Sequence, residues 1–158
     1  MSDNTREFHL SSPEQTTALA HALAPRLRSG DVILLSGPVG AGKSHFARSL
    51  ILALLDTPED VPSPTYTLVQ TYPGQSGEIW HSDLYRLSDT SEVEELGLLD
   101  AFDTAICLVE WPDRLHNLAP ETALWITLDP NGEDDTRVMT ARWASPKWNA
   151  KLKDLQYE

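Results

Sequence analysis

A mixed α/β sheet, parallel near its centre, extended by antiparallel strands and flanked by helices, is the fold this sequence predicts. Three observations carry that expectation. A continuous apolar run, Val32-Ile33-Leu34-Leu35, reads as a strand covered on both faces. A glycine-rich turn over Gly37–Gly42 leads from it into a helical pattern running from Lys43 to about Leu55. Strands and helices alternate early in the chain, whereas strand candidates cluster late.

Each element has a local reason. Ser12-Pro13-Glu14-Gln15 opens the first helix, with Ser12 as N-cap, Pro13 at the first helical position and Gln15 as the reciprocal capping residue. Leu19, Leu23 and Leu27 then recur at four-residue spacing as one buried stripe. Pro25 should kink or shorten that helix, and Gly30 is a natural stop. Thr65–Tyr72 is rich in β-branched and aromatic residues, Pro73–Gly77 breaks it, and Glu78–His81 is a possible hairpin partner. Ser91-Glu92-Val93-Glu94 resembles a second capping box opening a short helix. Ala105–Val109, Ala123–Leu128 and Thr136–Trp143 are further strand candidates, and a terminal helix starts near Pro146. No repeat, low-complexity tract or linker divides the chain, so residues 1–158 read as one domain.

Composition narrows the function classes. Lys and Arg number 12 against 24 Asp and Glu, a net charge of −12, which argues against a nucleic-acid coat protein or an anionic-membrane binder. The single cysteine, Cys107, excludes an internal disulfide framework and a cysteine zinc site. The longest apolar runs, Val32–Leu35 and Leu50–Leu55, are too short to cross a bilayer. Met1–Leu10 lacks the apolar stretch of a secretion signal, so the expected location is the cytoplasm.

Gly37-Pro38-Val39-Gly40-Ala41-Gly42-Lys43-Ser44 fits G-x-x-x-x-G-K-[ST], the P-loop pattern, in the strand-to-helix context that the chemistry needs. The expected architecture is therefore P-loop NTPase-like. Glycines allow successive backbone N–H groups to face phosphate oxygens, and the following helix start favours negative charge. Lys43 would bridge the terminal phosphates and the Ser44 hydroxyl would ligate Mg²⁺. A glycine-rich turn carrying a surface lysine is the plainer alternative.

Such a site needs a carboxylate for the metal and a group to position the attacking water. Glu110 ends the apolar run Ile106–Val109, which would bring it to the carboxyl edge of a central strand, where open α/β sheets place ligands. Asp83 follows the Ile79-Trp80 strand in a second polar cluster. Each could equally be a solvated acid at a strand end. Trp111 could offer adenine an aromatic face or be a half-buried core residue. The absence of an Asn-Lys-x-Asp tetrapeptide disfavours a Ras-like GTPase.

Five segments in order resemble the TsaE (YjeE) family, small P-loop ATPases of tRNA threonylcarbamoyladenosine synthesis. They are Gly37–Ser44, Ser63-Pro64-Thr65-Tyr66-Thr67-Leu68, His81-Ser82-Asp83-Leu84-Tyr85-Arg86, Glu94-Glu95-Leu96-Gly97 and Glu110-Trp111-Pro112. The resemblance implies ATP and Mg²⁺, with Gly37, Gly40, Ala41, Gly42, Lys43, Ser44 and His45 around the phosphates and Ser44 with Glu110 on the metal. It implies Ser63–Thr67 and His81–Arg86 as switch segments, Asp83 in water positioning or the metal's outer shell, and Lys43 beside it in catalysis. It places Trp111 and Asp113 on the adenine side and has Gln15 close over the nucleotide. The chain departs from the pattern at Pro38-Val39, where Asp-Leu is common, at Ser44, where Thr is usual, and at Ser82, where Phe is common; Ser44 keeps the hydroxyl.

The implied partners are a TsaB–TsaD pair and, through it, tRNA modified at the adenosine beside the anticodon. Arg137, Arg142, Lys147, Lys151 and Lys153, interleaved with Trp143 and Trp148, form a basic C-terminal segment that could touch tRNA or simply be a closing strand and helix. Two other functions compete with an ATPase. One is a nucleotide-switched assembly module with little hydrolysis. The other is a small-molecule kinase, weakened because Arg86 is the only arginine between the P-loop helix and Glu110.

Overall fold

The unbroken apolar runs Val32–Leu35 and Ile106–Val109 pair in parallel at the centre of the sheet. The computed structural model describes residues 4–38, 41–61, 68–87, 89–130 and 136–157. Its strands are β1 (Asn4–Leu10), β2 (Val32–Ser36), β3 (Val69–Tyr72), β4 (Ile79–Asp83), β5 (Ile106–Glu110), β6 (Leu124–Pro130) and β7 (Arg137–Trp143). They form one sheet in the order β1-β7-β6-β2-β5-β4-β3. The pairs β2–β5, β2–β6 and β4–β5 are parallel, whereas β1–β7, β6–β7 and β3–β4 are antiparallel. This is the mixed α/β sheet the sequence predicts.

Side chains alternate across the pleat, so each central strand feeds two cores. Ile33, Leu35, Ile106 and Leu108 pack with α1 (Pro13–Leu23), α2 (Lys43–Leu54) and the C-terminal segment. Val32, Leu34, Cys107 and Val109 face the other way, against α3 (Thr90–Glu95) and α4 (Leu98–Thr104). Both sets need apolar residues, which explains the continuous runs. The first set shares its sheet face with Glu110, and β4 places Ile79, His81 and Asp83 on that face in register with Ile106, Leu108 and Glu110. Alternation thus aims both acids toward α2.

Most element expectations are met, with instructive shifts. Leu19, Leu23 and Leu27 are all buried, and α1 stops at Leu23 before a 3-10 turn over Ala24–Arg26 that contains Pro25. Ser12 caps α1 by accepting from the Gln15 amide, but the Gln15 carboxamide oxygen accepts from the Ser11 amide at 2.7 Å, one residue further back than expected. The short helix α3 begins before the predicted box, since Asp89, accepting from the Ser91 amide, is its N-cap. Strand β1 was not expected. Only Phe8 and Leu10 turn inward from it, and its exposed polar residues conceal the alternation.

The basic C-terminal segment folds inward. Helix α5 (Lys147–Lys151) buries Trp148, whose indole N–H donates to the Thr122 carbonyl at 2.7 Å. Lys147 and Lys151 both pair with the buried Asp31 carboxylate at the start of β2. Two of the lysines and both tryptophans are therefore engaged in closing the fold, in line with the plainer reading. No helix among the described residues is long and apolar enough to cross a membrane.

Candidate functional site

The carboxyl ends of β2, β4 and β5 meet the first turn of α2. Gly37 leaves β2 with φ of +139°, and a Cβ there would lie 2.4 Å from the Leu128 carbonyl oxygen, so close approach of β6 requires glycine. Gly42 takes the left-handed conformation at φ +99° to cap α2, which no β-branched residue would do without strain. The Ala41 amide bonds back to the Pro38 carbonyl at 3.1 Å, closing the turn.

Beside this turn lies a cluster of ionisable groups. The Ser44 hydroxyl donates to Glu110 Oε1 at 2.9 Å, and His81 Nε2 lies 2.7 Å from Glu110 Oε2. Glu110 is only 2% exposed and Asp83 7%. Asp83 is paired in register with Glu110, and its Oδ1 accepts from the Tyr85 amide at 3.0 Å. Lys43, 6% exposed, donates to the Gly37 carbonyl and holds its ammonium 3.7 Å from the centre of the Trp111 ring. Burial pushes the Lys43 ammonium down from its ordinary value, against the opposing pull of Glu110, Asp83 and Asp113. Trp111 has φ of +60°, an uncommon conformation for a tryptophan, and its ring lies 4.8 Å from that of Tyr85. Lys43 is thus desolvated among acids, next to an aromatic in an uncommon backbone conformation.

Three residues show the other flank of the loop. Arg137 Nε donates to the Ala41 carbonyl at 3.1 Å, and His45 Nε2 lies 3.0 Å from Thr17 Oγ1 and 3.2 Å from the Pro13 carbonyl. Pro13, Thr16, Gly42, His45, Leu128 and Arg137 line a cavity of about 220 Å³ there.

The Ser44 and Glu110 oxygens suit Mg²⁺, a hard cation that prefers oxygen donors. No group of three or more His, Cys, Asp or Glu among the described residues could hold a metal by itself. The Ser44 and Glu110 donors nevertheless fit the ion.

A family model described as threonylcarbamoyl adenosine biosynthesis protein TsaE matches residues 10–139. The chain belongs to the TsaE family. A tRNA threonylcarbamoyladenosine biosynthesis protein TsaE of Rickettsia felis is 36% identical, over 93% of this chain and 92% of the relative. The Bacillus subtilis protein of the same name is 35% identical over 80% of this chain and 79% of its own length. The crystal structure of YdiB from Bacillus subtilis superposes with a TM-score of 0.81 at 26% identity, covering 98% of this chain and 96% of that one. Membership agrees with the fold and with the order of the motifs along this TsaE-family chain.

Within this TsaE-family chain the structure brings together Lys43, Ser44, Asp83 and Glu110, with Gly37, Ala41 and Gly42 forming the turn beside them. It gives the remaining candidates other contacts. Gln15 is engaged in capping α1, and His45 joins α1 to α2. Trp111 lies against Lys43, and neither it nor Asp113 lines the cavity beside Arg137. Gly40 and the segment 63–67 lie outside the described residues. Two residues were missed as site members: His81, taken only as part of a motif, and Arg137, taken as part of the basic segment. His81 stood at the correct parity two residues before Asp83, and that signal could have found it. Arg137 had no local signal, because the sheet order brings β7 beside the loop.

Proposed function

We propose that this chain binds ATP with Mg²⁺ and hydrolyses it to ADP and phosphate, in support of threonylcarbamoyl modification of the tRNA adenosine beside the anticodon, together with a TsaB–TsaD pair. One observation carries the reading most: the Ser44 hydroxyl bonded to the buried Glu110 carboxylate beside Lys43, at the start of a helix that follows a glycine turn. Family membership supplies the biological setting.

Each residue has a physical task. The amides at the start of α2, which have no acceptor within the helix, favour phosphate oxygens. The Lys43 ammonium leaves the Gly37 carbonyl and the Trp111 ring to meet the phosphate charge, a charge-assisted contact stronger than either. Ser44 and Glu110 hold Mg²⁺, which when bound neutralises charge on the phosphate oxygens. Asp83, held by the Tyr85 amide, orients the attacking water through its carboxylate. The cavity beside Arg137 is the seat we assign to the base, because neither Asp83 nor Glu110 lines it.

Phosphate release by the purified chain, alone and with TsaB–TsaD, tests the reading. Turnover that rises with the partners and disappears in Asp83→Ala is the expected result. Nucleotide-dependent association with the partners in the absence of any turnover would reject the enzyme in favour of a switched binding module.

A further inference from the structure

We propose that His81 is a positioning residue for Glu110: its Nε2–H clamps one carboxylate oxygen so that the other is presented to Ser44 and to a divalent cation. The inference rests on the reading of Ser44 and Glu110 as the Mg²⁺ ligands.

The geometry gives each Glu110 oxygen a different donor. Ser44 Oγ meets Oε1 at 2.9 Å and His81 Nε2 meets Oε2 at 2.7 Å. An ionised carboxylate only accepts, so Nε2 carries the hydrogen. His81 is 1% exposed, and its Nδ1 has no hydrogen-bond partner among the described residues. Among the described residues, Glu110 is the polar group that fixes the ring's orientation and tautomer. The bond to Oε2 satisfies a buried ring donor and at the same time fixes the rotamer of Glu110. The placement follows from the sheet: His81 lies opposite Leu108 in the parallel β4–β5 pair, on the face that carries Glu110. When Ser44 turns its hydroxyl oxygen toward the cation, the bond to Oε2 remains and keeps the carboxylate from swinging away. Groups one step behind a metal ligand act in this way by fixing its rotamer before the metal arrives.

The test compares the full chain with His81→Leu and His81→Gln by calorimetric titration with ADP over a series of Mg²⁺ concentrations. The Leu variant is expected to need about tenfold more Mg²⁺ for its half-maximal effect on ADP affinity. Its affinity without metal should stay within about twofold of the parent's, since the hydrogen bond of His81 goes to Glu110 and not to Lys43 or the turn. The Gln side chain can offer an N–H near the same point, and its Mg²⁺ midpoint should return to within about threefold of the parent's. A Gln variant as impaired as the Leu variant would overturn the proposal, as would a Leu variant with the parent's midpoint. If the parent itself shows no Mg²⁺ dependence, the assignment of Ser44 and Glu110 fails first. Should the Leu variant not fold, imidazole ¹⁵N shifts of the unaltered protein decide: the Nε2–H form is expected, and an Nδ1–H form contradicts it.

Discussion

The two halves of the sheet use the same kinds of apolar residue to different ends. In the half built from β2, β5 and β4, strands run parallel, and β2 and β5 are buried on both faces. In the half built from β6, β7 and β1, one face is covered and the other is partly open: Ile126 and Leu128 are buried while Trp125 and Thr127 are only partly so, and Ala141 is buried while Arg142 is exposed. Parallel strands end at one edge, so Gly37, Asp83 and Glu110 arrive together from distant points of the chain. Strand β6, parallel to β2, presses Leu128 against Gly37, and β7, antiparallel to β6, brings Arg137 to Ala41, so both support the turn. One half gathers the acids of the candidate site and the other supports the turn beside them.

That division can be broken, and the largest effect should come from the supporting half. Trp148→Ala removes a fully buried indole and its bond to Thr122. It should cost about 3–5 kcal/mol in chemical denaturation. ATP affinity of the folded fraction should stay within about twofold, since Trp148 is remote from the loop. A large loss of affinity at unchanged stability would dissolve the distinction. Lys43→Ala is the converse case. ATP affinity should fall about a hundredfold, the scale of one strong charge-assisted hydrogen bond. The unfolding midpoint should move by no more than about 5 °C.

Asp31→Ala sharpens the comparison at the opposite end of β2. It removes the common partner of Lys147 and Lys151 and an acceptor for the Arg28 amide. The released lysines are partly exposed and can be hydrated, so the cost should be about 1–3 kcal/mol in denaturant titration, with nucleotide binding intact. The smallest effect is a proton. Burial lowers the Lys43 ammonium below its ordinary 10.5 in the free protein, and bound phosphate would raise it again. ATP binding should therefore take up a fraction of a proton at pH values between the lowered and the restored titration points, and none well below them. Binding heats in buffers of different ionisation enthalpy measure this directly.

The sequence shows the functional half of the sheet more clearly than the supporting half, for physical reasons. The glycine turn, Lys43, Ser44, Asp83 and Glu110 lie at boundaries where an apolar run stops, and such boundaries are local. The buried stripe of α1 and the hairpin between β3 and β4 were equally local. Strand β1 was not, because an edge strand with two inward residues has too short an apolar alternation to stand out. Arg137 entered the site through strand order, which no single segment encodes, whereas His81 could have been read from its parity with Asp83. The basic and aromatic tail was ambiguous because Lys147 and Lys151 find their partner, Asp31, more than a hundred residues away.

The most direct test of the phosphate-and-metal site is titration of the purified chain with ADP in Mg²⁺ and again with the metal chelated, alongside Glu110→Gln. Saturable binding at one site is expected, weaker without metal, with the Glu110→Gln protein indifferent to Mg²⁺ and matching the metal-free parent. No saturable heat in the unaltered chain, or equal affinity with and without metal, would contradict the assignment of the turn, Ser44 and Glu110.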